Sequence, residues 1–285
     1  MQSSTKSHEN GIIYDMEKNM TAAITAAQKI KIIFFDIDDT LRVKDTGFMP
    51  DSVNRVFDAL REKGILTGIA TGRNLFGVVP EVRALKPDFF VTANGSHVED
   101  KTGKFIYDQP LPETVVVDLV TWLRDEGEDY VFYGSDKVVG SNWSAIARDA
   151  VTPVYGEIPI DKDYYLTHAV YQMLTISEQD DKLILPENLA DKVRMVRWHK
   201  HSSDIVPMTG SKAIGVSHVL DTLGLTSENL LNFGDELNDL ELFDFAGLSV
   251  AMKISHPDIL EKADYVTDTV ENDGIEKALQ ALNIL

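Results

Sequence analysis

The chain has 285 residues, 44% hydrophobic and 8% aromatic, with 46 acidic against 27 basic side chains and a net charge of −19. That length suits two domains, the composition suits a packed protein rather than a disordered one, and the acidity disfavours nucleic acid as a partner. With no cysteine, disulfides, thiolate zinc sites and a cysteine nucleophile are excluded.

No stretch approaches the ~20 apolar residues of a membrane span, and no basic segment leads into a continuous apolar run near Met1. No membrane partner or signal peptide is therefore expected, and the balance of features fits a cytoplasmic protein.

Residues 1–29 read as an N-terminal extension, disordered or loosely helical as far as Lys29, with no core pattern. From Lys31 the pattern changes. Ile32–Phe35 is a short apolar run ending in charge, as in a strand buried on both faces. A helix is expected over Asp51–Lys63, with Val53, Val56, Phe57 and Leu60 on one face. Asp51 or Ser52 would cap it and Gly64 stop it. Residues 65–70 and 88–93 read as two further buried strands, a spacing that implies a parallel sheet with right-handed crossovers.

The same grammar returns late in the chain. Helices are expected over 214–223, 240–245 and 274–282, and strands over 230–233, 248–252 and 265–267. Between the halves, 103–107, 130–133, 170–176 and 193–198 alternate partially, as strands do, and 114–126 and 186–192 look helical. The expected fold is α/β: a doubly wound, mainly parallel, Rossmann-like core (30–95 and 208–285) with an inserted α+β cap (96–207).

Chemistry-bearing residues gather at the strand ends. Asp36-Ile-Asp38-Asp39-Thr40 follows the first strand, where open α/β sheets bind ligands. Clustered carboxylates favour a hard cation such as Mg²⁺, although an acidic solvated turn explains this cluster alone equally well. Ala70-Thr71-Gly72-Arg73 follows the second strand with a hydroxyl and an open backbone N–H, both suited to phosphate oxygens. Ser211-Lys212 opens a helix after the insertion and offers a cation. Gly234-Asp235-Glu236-Leu237-Asn238-Asp239 closes the strand at 230–233 with more carboxylates. Each is weak alone; four at one sheet edge, in this order, are not accidental.

Together these segments resemble the haloacid dehalogenase superfamily, and within it the Cof-type (subclass IIB) phosphatases. Asp36–Thr40 is similar to the first family motif, Thr71 to the second, Lys212 to the third and Gly234–Asp239 to the fourth. Thr92-Ala-Asn94-Gly95, Ala246–Met252, Ala263–Thr267 and Asn272–Ile275 resemble further family signatures, so the likeness covers about residues 31–285. The family usually has Gly where this chain has Asp39, and its first strand usually lies nearer the initiator.

The resemblance implies an aspartyl-phosphate mechanism. Asp36 would be the nucleophile and Asp38 the general acid and base. Asp36, the Asp38 carbonyl, Asp235 and Asp239 would serve Mg²⁺, and Thr71, Gly72, Lys212 and Asn238 would hold phosphate. The expected partner is a small phosphorylated metabolite, such as a sugar phosphate, handled by a monomer or weak homodimer. A phosphomutase of the same superfamily and a receiver-like phosphoaspartate module are the alternatives. The latter fits poorly, because Lys212 lies far downstream and Asp38 would shorten the life of a phosphoaspartate.

For substrate specificity, the basic segment Arg194–His201, with Asn94 and Asp204, supplies candidates. Alternation along a strand would put Arg197, His199 and His201 on one face, away from Trp198 and Lys200.

Overall fold

A computed structural model describes residues 20–135 and 137–285. The part of the N-terminal expectation that concerns residues 1–19 lies outside the described residues. The chain opens with helix α1 (20–27), β1 (Ile32–Phe35), α2 (Asp51–Glu62) and β2 (Leu66–Ala70). Next come α3 (Pro80–Ala84), β3 (Phe89–Thr92), β4 (His97–Asp100), β5 (Phe105–Asp108), α4 (Glu113–Asp125), β6 (Asp129–Tyr133) and β7 (Val138–Gly140). They are followed by α5 (Ala145–Tyr155), β8 (Gln172–Ile176), β9 (Val193–His199), β10 (Ser202–Pro207) and α6 (Lys212–Leu223). The chain ends on β11 (Leu230–Gly234), α7 (Leu240–Phe245), β12 (Leu248–Ala251), α8 (Pro257–Lys262), β13 (Tyr265–Val266) and α9 (Gly274–Ala281). This is the α/β architecture that the strand–helix spacing implied, a core sheet with an inserted region. Among the described residues two compact units form it, 20–69 with 223–285, and 70–222.

In the first unit the strands run β13-β12-β11-β1-β2, every pair parallel. From β1 the chain steps outward to β2, and on its return it starts again beside β1 and steps the other way. The order therefore reverses between β1 and β11, and crossovers leaving in opposite directions open a crevice at the strand carboxyl ends. β1 is wholly buried, with the Phe35 ring 5.0 Å from Phe57 and 5.2 Å from Phe233. On α2, Val53, Val56, Phe57 and Leu60 are the buried stripe, as expected.

The cap of α2 differs from expectation. Pro50, extended at φ −71°, occupies the N-cap, and the buried Ser52 hydroxyl donates to Asp273 Oδ1 at 2.6 Å. Nor is the start of the described chain without a core pattern: Ala23, Ala27 and Ile30 are buried.

In the second unit β3, β4 and β5 form an antiparallel meander, and β7-β6-β8-β10-β9 a separate antiparallel sheet. Leu119, Leu123, Phe132, Met173 and Ile205 join one apolar cluster of this sheet, while Val131, Tyr133, Val151, Leu174 and Ile176 join another. Residues 186–192 are turns, not a helix. Pro186 O accepts from Leu189 and Ala190, and Leu189 O from Lys192 and Val193. These bonds converge on two carbonyls instead of running on as a helical ladder, and the buried Leu189 is held by packing. Helix α5 escaped the sequence reading because Pro153 interrupts it and its buried face is Ala147, Ala150 and Val151.

Gly68 on β2 lies opposite Phe34 on β1, and a Cβ there would collide with the Phe34 ring. Gly68→Ala is expected to cost about 1–3 kcal/mol by overpacking and Gly68→Val more, read as a lower urea midpoint at unchanged slope.

Candidate active site

The first unit places three carboxylates in the crevice. Asp36 follows β1, Asp235 follows β11, and Asp239 ends the 3₁₀ turn Leu237–Asp239. All three are buried, and a carboxylate oxygen from each lies within 4.8 Å of the others. At that separation and an effective dielectric near 20, each ionised pair repels by roughly 3 kcal/mol. Burial removes the water that would screen them. An all-oxygen, acidic, buried donor set of this kind fits a hard divalent cation.

The neighbours hold these groups in place. Thr40 Oγ1 donates to Asp235 Oδ1 at 2.9 Å, and the Asp36 N–H donates to Phe233 O. Asp239 Oδ2 accepts from the Asp235 and Glu236 amides at 3.2 and 3.4 Å. Gly234 is bare because Asp239 fills its Cβ position. Asp38 and Asn238 are half-buried at the same strand ends.

Asp39 adopts φ +56°, the left-handed conformation that glycine takes most easily. Its carboxylate accepts from Lys44 N–H at 2.9 Å. Burial first, then the Asp38 charge, raises its pKa above the usual carboxylate value. The unusual residue is accommodated as an Asp in a left-handed turn.

The second unit gathers another polar set. Thr71 Oγ1 accepts from Arg73 N–H, Thr71 O from Asn94 N–H at 3.1 Å, and Arg73 O from Ala93 N–H at 2.8 Å. Ala93, Asn94 and Gly95 all have positive φ, a conformation costing roughly 1–2 kcal/mol per non-glycine residue. The turn is pinned against α6: a Cβ on Gly95 would strike Ser211 O, and one on Gly215 would meet Gly95 Cα. This contact sets the Asn94 turn beside the start of α6, where Lys212 is fully buried. Thr71 is buried and Gly72 half-buried.

Among the specificity candidates, Asn94 and Asp204 meet, with Asn94 Nδ2 donating to Asp204 Oδ2 at 3.2 Å and to Gln172 Oε1 at 2.9 Å. Arg197 does not join them. It pairs with Ser203 in the β9–β10 ladder, so it projects from the face opposite Asp204 and binds Asp180 at 3.1 Å. His199 and His201 lie 3.9 Å from Asp149 on α5, and Lys200 binds the same carboxylate at 2.9 Å. The alternation expected here fails because the register shifts at Ser202/Ser203, and a bulge brings Trp198 and His199 towards one side. His201 falls in the turn beyond β9.

Two contributors were missed. Thr40 was visible only as the end of a motif. Gln172 carried no signal beyond being a polar residue in an apolar run.

A buried carboxylate cluster at the reversal point of a doubly wound sheet is an arrangement suited to metal-assisted phosphoryl chemistry. Residues 33–279 match the family model described as haloacid dehalogenase-like hydrolase, and the chain belongs to that family, among its Cof-type, subclass IIB phosphatases. It is 50% identical over 271 residues to a putative bifunctional phosphatase/peptidyl-prolyl cis-trans isomerase of Streptococcus pyogenes, covering 95% of this chain but 58% of that relative. A putative phosphatase of Bacillus subtilis is 32% identical, over 90% of this chain and 98% of its own. A crystal structure of a subclass IIB sugar phosphatase superposes with a TM-score of 0.79 at 26% identity, over 90% of this chain and all of that one.

Gly234→Ala would place a methyl carbon 2.5 Å from Asp239 Cγ and displace that carboxylate. The expected outcome is divalent-cation binding weakened about tenfold or more, read by isothermal titration calorimetry, with an unchanged far-UV circular dichroism spectrum.

Asp39→Gly should change stability by less than about 1 kcal/mol, since glycine takes φ +56° without strain. Asp39→Val should cost clearly more than Asp39→Gly, because a β-branched residue is a true outlier there; denaturant unfolding of the two variants side by side makes the comparison.

Proposed function

We propose that the chain hydrolyses the phosphomonoester of a small metabolite with Mg²⁺, through a phosphoryl group carried on Asp36. The observation that supports this reading above the others is the buried cluster of Asp36, Asp235 and Asp239 at the β1/β11 reversal.

In the first step an Asp36 carboxylate oxygen attacks phosphorus, and the bond from phosphorus to the leaving oxygen breaks. Asp38 gives its proton to that oxygen, so the product departs as an alcohol. In the second step Asp38 takes a proton from water, and the water oxygen attacks phosphorus. The bond to Asp36 breaks, which restores the carboxylate and releases phosphate. Asp36, Asp38, Asp235 and Asp239 are the residues that would serve Mg²⁺, and the bound ion supplies charge neutralisation for the nucleophile and the transferring group. Thr71, Gly72, Lys212 and Asn238 hold phosphate oxygens. Thr40 keeps Asp235 oriented.

Residues 96–207 carry substrate selection, with Asp204 from that region and Asn94 just before it contacting the leaving group. Arg197, paired with Asp180, and His199 and His201, beside Asp149, belong to the scaffold of that region. The solved subclass IIB relative is named a sugar phosphatase, and a sugar phosphate is a fitting substrate class here.

A panel of metabolite phosphates assayed with Mg²⁺ identifies the best substrate. Asp36→Asn is expected to lower kcat on it by several orders of magnitude while Tm is retained. A residual rate above about a tenth of wild type corresponds to less than 1.4 kcal/mol of barrier, too little for a lost nucleophile, and would refute the covalent route.

Activity should vanish in EDTA, return with Mg²⁺, and fall when Ca²⁺ replaces it, because Ca²⁺ takes longer bonds and more ligands. Full turnover after exhaustive chelation would contradict the metal requirement.

A further inference from the structure

Gln172 is out of place where it stands. It opens β8, whose next residues are Met173 and Leu174, and it is fully buried. Its Oε1 accepts from Asn94, yet its Nε2 has no hydrogen-bond partner among the described residues. A buried, unpaired amide donor is destabilising, and an apolar residue of the same size would avoid that cost. What Gln172 contributes in return is its carbonyl oxygen.

That oxygen and the Asp204 carboxylate together hold Asn94 in one orientation. The Asn94 amide has two N–H bonds on Nδ2, and they go to Gln172 Oε1 and Asp204 Oδ2. Turned end for end, Asn94 would point a carbonyl at both acceptors, so the pair fixes one orientation. Gln172 supplies this acceptor without charge, whereas a carboxylate there would add a second negative charge beside Asp204.

Asp204 is the more accessible end of the chain of contacts, half-buried where Asn94 and Gln172 are buried. It pairs with Leu174, and Gln172, two residues earlier, shares that face. Tyr133 stands opposite Gln172 across the ladder, with Tyr155 Oη donating to its hydroxyl at 2.7 Å. Burial chiefly, then Tyr155 and Asp204, raises the pKa of Tyr133, so it remains a neutral hydroxyl. A carboxylate beside neutral hydroxyls and an amide suits an alcohol, which donates and accepts at one atom. The Arg73 charge felt at Tyr133 disfavours an ammonium group there.

Resting on the phosphatase reading above, we propose that Gln172 is a positioning residue for specificity. Through Asn94 it aims the Asp204 carboxylate at a hydroxyl group of the leaving alcohol. Gln172 itself does not touch the reacting atoms.

The test compares ribose 5-phosphate, sorbitol 6-phosphate and glycerol 1-phosphate with phenyl phosphate and phosphoethanolamine, all with Mg²⁺. The wild type is expected to prefer one of the hydroxylated esters in kcat/KM. Gln172→Met keeps the volume and removes the acceptor. It should raise KM for that ester about tenfold with kcat within about threefold, and lower the ratio of its kcat/KM to that of phenyl phosphate about tenfold. Asp204→Asn, an isosteric change at a half-buried position, should lower the same ratio at least as far, and it answers the question if Gln172→Met fails to fold.

Equal losses on the hydroxylated ester and phenyl phosphate, an unchanged ratio in either soluble variant, or a wild-type preference for phosphoethanolamine would overturn the assignment while leaving the phosphatase reading intact. No turnover of any ester, phenyl phosphate included, would overturn the phosphatase reading and this inference with it.

Discussion

Three carboxylates that repel one another set the terms for the first unit. Asp36, Asp235 and Asp239 are drawn together and buried at the one place where the strand order reverses. Much of the nearby structure answers that strain. Thr40 donates to Asp235, the amides of Asp235 and Glu236 donate to Asp239, and Gly234 gives up its side chain to make room. Charge held in a buried crevice by fixed dipoles is a preorganised arrangement, and it is the kind of place where a cation and a phosphate dianion can bind.

The parallel sheet makes that concentration of charge tolerable. β1 and β11 are buried on both faces, and the stacked rings of Phe35 and Phe233 lie just before the two acidic strand ends. Rigid apolar strands can therefore deliver polar residues at their tips with little freedom to relax apart. The second unit uses tight backbone contact for a similar purpose. Three successive residues of positive φ are clamped by glycine-sized contacts on α6, which holds Asn94 at a defined place near the buried Lys212. Strain of this sort persists only where the surroundings over-determine it.

The inserted region shows how a sheet face can be reassigned by one residue. A strict two-residue alternation groups Arg197 with His199, but the bulge at Ser202/Ser203 breaks it and sends them to different neighbours, Asp180 and Asp149. The polar set that does assemble, Gln172, Asn94 and Asp204, comes from three segments far apart in the chain. A bulge depends on how two strands pair, and that pairing is decided by packing against both faces of the sheet.

What the sequence by itself determined is the part governed by short-range pattern. Apolar runs ending in Asp36 and Asp235 marked buried strands with chemistry at their tips, because strand burial and strand-end loops are both local properties. The periodicity of Val53, Val56, Phe57 and Leu60 similarly located α2. Tertiary structure alone decided where side chains from distant segments meet: Thr40 on Asp235, Ser52 on Asp273, Gln172 on Asn94. Pairings at such separations leave no periodicity to read. Each is chosen by the geometry of the assembled sheets and by the cost of leaving a buried polar group unpaired.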